Sequence, residues 1–324
     1  MIILVTGGGG FLGTAIVRKL RQQGHQVRSY SRRHYSHLEQ MDVQQFSGDL
    51  TEVNTLKNAV SGCDIVYHVA AKAGIWGDYA DYYQANVVGT ENVIRACRDC
   101  GVSKLVYTSS PSVIFNGESM EGVDESQPYP DHYETAYPQT KALAEQRVIA
   151  ANGESLATVS LRPHLIWGPG DNHLTPRIIE GGRRGKLRRI GRQDHLVDCI
   201  YVENAADAHL LAGEKIAIGS PISGKCYFIS QDDPRYLWDI VNGILATQGI
   251  DPVCKTVPRR LAYTLGSVCE MVFRVLQLKQ EPPMTRFVAK ELSTAHWFSM
   301  DAAKKELGFQ PKISIEEGLE QLKY

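Results

Sequence analysis

Long uninterrupted apolar runs are what this chain has least of. Its first ten residues, MIILVTGGGG, hold a handful of apolar side chains before the glycines, too few for a signal-peptide core or a bilayer span, so a cytoplasmic location is expected. The one apolar stretch of any length, residues 261–278 (LAYTLGSVCEMVFRVLQL), is broken by Glu270 and Arg274. Those charges stand one turn apart on one helical face, which predicts an amphipathic helix and no transmembrane span. An excess of charge of either sign is missing too: 35 basic and 36 acidic residues leave a formal net charge of −1. That balance gives nucleic acid no basic surface to bind. A disulfide framework is also lacking, because the seven cysteines are odd in number and scattered from Cys63 to Cys269, the pattern of free thiols in a reducing compartment. Cys97 and Cys100 make a CxxC without a second Cys or His pair nearby, half of a zinc site, so no metal is expected.

What the chain does have is alternation. Its 324 residues, 43% of them hydrophobic, suit one large or two modest cores. Short β-branched runs (IILV, VRSY, QQFSG, DIVYHVA, KLVYTSS, ATVSLRP) alternate with helical patterns, which predicts an α/β fold with a doubly wound parallel sheet covered on both faces. Past residue 165 the regularity fails, and helical segments near 235–248 and 284–292 dominate. The expected organisation is a dinucleotide-binding domain over 1–165, with returning segments from about 195–230, and a smaller, mostly helical substrate-binding region over 166–324.

VTGGGGFLG follows the first predicted strand and opens the first helix. Gly7, Gly10 and Gly13 there have GxxGxxG spacing, and Phe11 and Leu12 begin the helix. Glycines at those positions let the backbone turn tightly, approach a pyrophosphate and pack helix on sheet, the Rossmann-type arrangement. Cofactor choice is expected at the end of the second strand, where Ser31, Arg32 and Arg33 stand in place of the acidic residue that NAD favours. Charge-assisted donors to a 2′-phosphate are worth roughly 1.5–3 kcal/mol, about tenfold or more in affinity, so NADPH/NADP is predicted, with NAD possible. Asp49 and Leu50, after the third strand, stand at the expected edge of the adenine ring; Asp49 equally suits a helix cap.

Tyr137 and Lys141 in AYPQTKALAEQ form YxxxK, one helix face apart by a single turn, and Pro138 fits because it falls in the first turn. A free phenol ionises near 10; an ammonium beside it lowers that by roughly 1–3 units, toward general acid-base work. The expectation is therefore a Tyr137 acid controlled by Lys141. Ser110, at the end of the fifth strand, is the chosen carbonyl-holding hydroxyl among Ser109, Ser110 and Ser112. Asn86, polar within an apolar-periodic helix, suits a relay or a purely structural hydrogen bond.

With TGGGGFLG, GDL, NVVGT, YTSS, YPQTK, LRPHLIWGPGD and DAAKKELGFQPKISIEEGL in place, the chain resembles an extended short-chain dehydrogenase/reductase nearly end to end. CIYVENAADAHLLA and GKCYFISQDDP resemble the 3β-hydroxysteroid dehydrogenase branch of that superfamily. AAKAGIWGDYADYYQANVVGT, SLRPHLIWGPGD and EPPMTRFVAKEL resemble the bacterial 2-alkyl-3-oxoalkanoate reductases. The resemblance implies catalytic Tyr137, Lys141 and Ser110 supported by Asn86, and cofactor contacts from Ala70, Ala71, Lys72, Tyr137, Lys141, Pro163 and His164, with Arg162 beside the last two. It implies hydride delivery to a ketone while Tyr137 protonates the oxygen, and pairing into a homodimer. Sugar dehydratases of the superfamily carry an Asp-Glu pair beside the hydroxyl; here Pro111 and Ser112 follow Ser110, so water elimination lacks its acid and base.

For the substrate, Trp76, Tyr79 and Tyr83 follow the fourth strand, where the crevice of such a sheet opens, Ser112 follows Ser110, and Trp167 and His173 lie after the sixth. Aromatic side chains there favour an apolar keto or hydroxy ligand, although core packing is an equal reading of each. Arg177, Arg183, Arg184, Arg188 and Arg189 read as a solvated face with room for one or two anion contacts, which keeps a nucleotide-sugar epimerase as an alternative, beside the sterol-type dehydrogenase that the resemblance leaves open.

Overall fold

The computed structural model describes residues 1–278 and 280–323. Seven strands form the main sheet, numbered here in chain order: β1 (Ile2–Thr6), β2 (Gln26–Ser31), β3 (Gln44–Ser47), β4 (Ile65–His68), β5 (Lys104–Thr108), β6 (Ala157–Pro163) and β7 (Cys226–Ile229). All pair in parallel, in the spatial order β3-β2-β1-β4-β5-β6-β7. Alternate residues of β1 serve different cores. Ile3 and Val5 pack among the helices Phe11–Gln22 and Val202–Lys215, while Leu4 joins Leu56, Val93 and Ala144 on the opposite face. Burial on both faces explains why these strands read as continuous apolar runs.

The order reverses between β1 and β4, and a ligand crevice opens there at the carboxyl ends of the strands. Six of the seven strands were expected; the seventh, β7, belongs to the returning segment and pairs with β6 from Cys226↔Ser160 to Ile229↔Pro163. A second sheet brings together Arg235–Tyr236, Leu196–Val197, His296–Phe298 and Met120–Val123. Its pairing His296↔Met120 ties the C-terminal region to the loop after β5 and so closes one side of the crevice. A separate apolar cluster around Trp167, Trp238 and Ile244 holds the C-terminal region together.

The helix Arg259–Val275 is amphipathic, as expected, with small residues and Glu270 on its inner face and large apolar side chains outside. Ala262, Gly266 and Glu270 face inward, and the Glu270 carboxylate accepts from the Arg286 backbone N (2.7 Å) and Nε (2.9 Å). Leu261, Leu265, Val268, Met271 and Val275 are exposed instead. A Cβ on Gly266 would stand 2.7 Å from the Thr285 carbonyl carbon, so small residues let the following segment lie directly on this face. No described helix is long and apolar enough to cross a membrane.

Candidate active site

The glycine turn connects β1 to the helix Phe11–Gln22, with Gly10 at its N-cap. Gly7 has φ +70°, and a Cβ there would come within 3.0 Å of the Ala70 backbone. A Cβ on Gly13 would lie 2.1 Å from the Gly7 oxygen. Turn and helix therefore pack at backbone contact, and the helix N-terminus at Phe11 and Leu12 presents unpaired N–H groups to a diphosphate. The donor set fits a dinucleotide.

Ser31 ends β2, and Arg32 and Arg33 follow it, both exposed. The Arg33 guanidinium lies 5.0 Å from the centre of the Tyr35 ring, and that ring occupies the space a Cβ on Gly9 would need. Asp49 Oδ1 accepts from the Thr51 backbone N (3.0 Å) and hydroxyl (2.7 Å). The backbone hydrogen bond holds the carboxyl below its usual range, opposed by partial burial and aided by the Thr51 hydroxyl and the Arg32 charge. Asp49 is thus engaged in a turn leading into the helix Val53–Val60, and Leu50 packs where a Cβ on Gly89 would stand, 2.9 Å away.

Ala70, Ala71 and Lys72 follow β4. The amide of Asn86, almost fully buried, is used completely: Oδ1 accepts from Lys72 N (2.7 Å), and Nδ2 donates to Lys72 O (3.1 Å) and Thr140 Oγ1 (3.0 Å). Asn86 sits in a wide π-turn, Tyr83–Val88, and pins the β4 loop to the helix Ala136–Ala150 one residue before Lys141. Its contacts are positional.

Tyr137 and Pro138 occupy the first turn of that helix. The phenol and the Ser110 hydroxyl line one cavity. Burial raises the Tyr137 phenol above its usual value, a hydrogen bond with Ser110 opposes this, and the Glu291 carboxyl adds to the rise. Ser110 itself accepts from Ser112 N (3.2 Å) and shares a hydrogen bond with the Ser112 hydroxyl (2.9 Å). The expected Lys141 contact differs. Its ammonium, 2% exposed, donates to Tyr107 Oη (2.7 Å) and Thr108 O (2.6 Å) at the end of β5, not to Tyr137. Burial lowers it to about 7, with Glu145 pulling the other way. A cation taken out of water binds the nearest strong acceptors, and the strand end offers two, so an acidified phenol is not present in this structure.

The cavity, about 190 Å³, has apolar walls from Ile75, Phe115, Met120, Phe287 and Phe298, and Ser112 and His164 also line it. His164, expected at the cofactor, meets His296 (4.9 Å between ring centres) and Phe298 (5.1 Å). Pro163 is buried in β6 beside Ile229. Arg162 is buried too, its guanidinium on Glu145.

Other predicted substrate residues lie elsewhere. Trp167 is a core side chain, fully buried and edge-on to Tyr201 at 5.4 Å. Tyr79 and Tyr83 lie tilted against each other, ring centres 5.9 Å apart, outside the cavity lining. His173 is an exposed residue at the start of the helix Leu174–Arg183. Trp76 donates from Nε1 to Leu278 O (3.1 Å) and meets Phe273 edge-on, so it anchors the helix Arg259–Val275 beside the cavity loop. The five arginines have partners of their own: Arg177 on Glu281, Arg184 on Glu180, Arg189 on Asp194, Arg183 on Gln248, and Arg188 on the Gly185 and Leu187 carbonyls. Missed in the sequence were Glu291, His296, Phe287 and Phe298, all brought to the cavity by the helix Arg286–Glu291 and the strand after it.

A family model described as the 3-beta hydroxysteroid dehydrogenase/isomerase family matches residues 4–259. The chain belongs to that family. It is an NAD(P)-dependent oxidoreductase acting on hydroxyl and ketone groups. Over 325 aligned residues it is 50% identical to a 2-alkyl-3-oxoalkanoate reductase of Stenotrophomonas maltophilia, covering 100% of this chain and 98% of that protein. A decarboxylating sterol-4-alpha-carboxylate 3-dehydrogenase of Candida albicans is 35% identical, over 98% of this chain and 95% of its own. Among solved structures, the UDP-glucuronic acid 4-epimerase of Bacillus cereus in complex with NAD superposes with a TM-score of 0.77 at 20% identity, over 100% of this chain and 99% of the other, a likeness of fold.

Proposed function

We propose that this oxidoreductase reduces the ketone of a 2-alkyl-3-oxoalkanoate to the 3-hydroxy acid, with NADPH as reductant. One observation carries the reading: the Tyr137 phenol and the Ser110 hydroxyl open together onto a cavity whose other walls are mainly apolar. That is the chemistry of a site that holds one ketone oxygen and accepts alkyl groups around it. The relative at 50% identity supports the substrate class.

The dinucleotide, when bound at the glycine turn, supplies the hydride. Ser110 donates a hydrogen bond to the ketone oxygen, and Tyr137 gives its proton to the same oxygen as charge develops there. Burial keeps Tyr137 protonated at neutral pH, the form that reduction consumes. Lys141, one turn along the same helix, ties that helix to the end of β5 through Tyr107 and Thr108. Asn86 keeps the β4 loop and the tyrosine helix in register through Lys72 and Thr140.

The test is a panel of 2-alkyl-3-oxoalkanoates, 3-keto sterols and nucleotide sugars, followed by absorbance of the reduced cofactor. One NADPH oxidised per 2-alkyl-3-oxoalkanoate is expected, with no net oxidation by the other two classes; turnover of a sterol or sugar alone would overturn the reading. Cofactor choice has its own test. With both Arg32 and Arg33 changed to alanine, KM for NADPH is expected to rise about tenfold or more, the loss of a charge-assisted contact, while KM for NADH stays within about twofold. Equal effects on both cofactors would remove the arginines from the 2′-phosphate site.

A further inference from the structure

Resting on the reading above, a 2-alkyl-3-oxo acid brings a carboxylate into a cavity that, among the described residues, no lysine or arginine lines. Tyr137 and Ser110 are committed to the ketone oxygen. His296 donates from Nε2 to the Glu291 carbonyl (3.1 Å), which leaves its Nδ1 as an acceptor in the neutral ring. That Nδ1, like Nδ1 of His164, has no hydrogen-bond partner among the described residues. Burial, with His296 alongside, pushes His164 well below its usual value, and burial lowers His296 to about 4. Neither imidazole therefore offers a cation near neutrality. What remains is Ser112, tied to Ser110, and Glu291, whose carboxyl lines the cavity and has no hydrogen-bond partner among the described residues.

We infer that Glu291 is the substrate-carboxylate subsite: in its acid form it donates one hydrogen bond to the carboxylate of the 2-alkyl-3-oxo acid, so productive binding needs one proton. An O–H to O⁻ bond of this kind is among the strong ones, and it leaves one negative charge in the cavity instead of two. The groups around Glu291 permit this. Tyr137 faces it from the helix Ala136–Ala150, His164 from the loop after β6, and His296, itself near His195, from the strand that follows. The cations on its own helix are engaged elsewhere, Lys290 by Glu134 and Arg286 by Glu270. Burial raises the Glu291 carboxyl to about 7. Below that pH the acid is already protonated and affinity is flat; above it, binding takes up a proton and weakens about tenfold per unit.

The experiment is calorimetry on the full-length protein with NADPH present, using a 2-alkyl alkanoate that has no ketone to reduce, and its methyl ester. For the wild type, the acid is expected to bind about tenfold more weakly at pH 8 than at pH 6 and to take up close to one proton at pH 8, read from buffers of different ionisation enthalpy. The ester should show neither effect. Glu291→Gln, whose amide always donates, should bind the acid without proton uptake and equally at both pH values. Glu291→Leu should lose about tenfold or more for the acid at pH 6 and keep the ester. Proton uptake that persists in Glu291→Gln, or the same pH dependence for the ester, overturns the subsite. If the calorimetry comes out as expected and no 2-alkyl-3-oxoalkanoate is reduced, the reductase reading falls and the subsite stands.

Discussion

Tyr137→Phe is expected to lower kcat for ketone reduction by about 10²- to 10⁴-fold, the range of a lost general acid, with the affinity for NADPH nearly unchanged. The reason is local. The aromatic ring keeps its place in the first turn of the helix and in the cavity wall, and only the proton donor disappears. A control is built into the pH behaviour. Because burial holds the phenol above its usual value, the acid form persists across neutrality, so wild-type reduction owes no pH dependence to this group between about pH 6 and 9. The reverse reaction, oxidation of the 3-hydroxy acid, needs the phenolate, and its rate should climb about tenfold per pH unit over the same interval. Stopped-flow measurement of both directions checks this. A Phe variant that retains more than about a tenth of wild-type kcat would show that Tyr137 is not the proton donor.

The parts of this site that were legible in the sequence are those fixed by local constraints. The glycine turn could be read because backbone contact at Gly13 tolerates no side chain, and the strands because burial on both sheet faces leaves a run of apolar residues. Tyr137 and Ser110 could be read because each sits beside a strand or helix end whose place along the chain the alternation already gave. The illegible parts come from long-range pairing. Glu291 and His296 reach the cavity only because His296 pairs with Met120, a register that nothing in either segment announces. Trp167 shows the converse: an aromatic residue after a strand satisfies a substrate wall and a core equally well, and the adjacent Tyr201 and Trp238 drew it into the core. The inward face of the helix Arg259–Val275 was illegible for a related reason: Glu270 turns inward because Arg286 meets it there, while Arg274 one turn on is exposed. Lys141 was correctly spaced from Tyr137, but spacing fixes the helix face and leaves the direction of a long side chain open, and acceptors on β5 decided it.

The helix that carries Tyr137 is secured one turn beyond Lys141, and removing that anchor is expected to cost about 3–5 kcal/mol. Glu145 is fully buried. It accepts from Arg162 Nη2 (2.6 Å), from Arg162 Nε (3.0 Å) and from the Tyr129 hydroxyl (2.7 Å). The guanidinium lies 5.2 Å from the Phe228 ring centre and 5.8 Å from that of Tyr129, so rings and carboxylate hold it inside the protein. Glu145→Gln leaves this cation buried and unpaired, the costly half of a broken ion pair, and for a chain of this size the loss corresponds to a fall in Tm of about 5 °C or more. The same change removes the attraction that keeps Lys141 from falling further below its usual value. Any activity that depends on the Lys141 ammonium should then be lost at a lower pH than in the wild type. Pairing Glu145→Gln with Arg162→Met removes the stranded charge and should recover much of the Tm but not the shift in the pH profile, since Lys141 still lacks its carboxylate. A double-mutant cycle in urea separates the two effects. A single Glu145→Gln as stable as the wild type would mean that the buried pair contributes nothing to holding the tyrosine helix against the sheet.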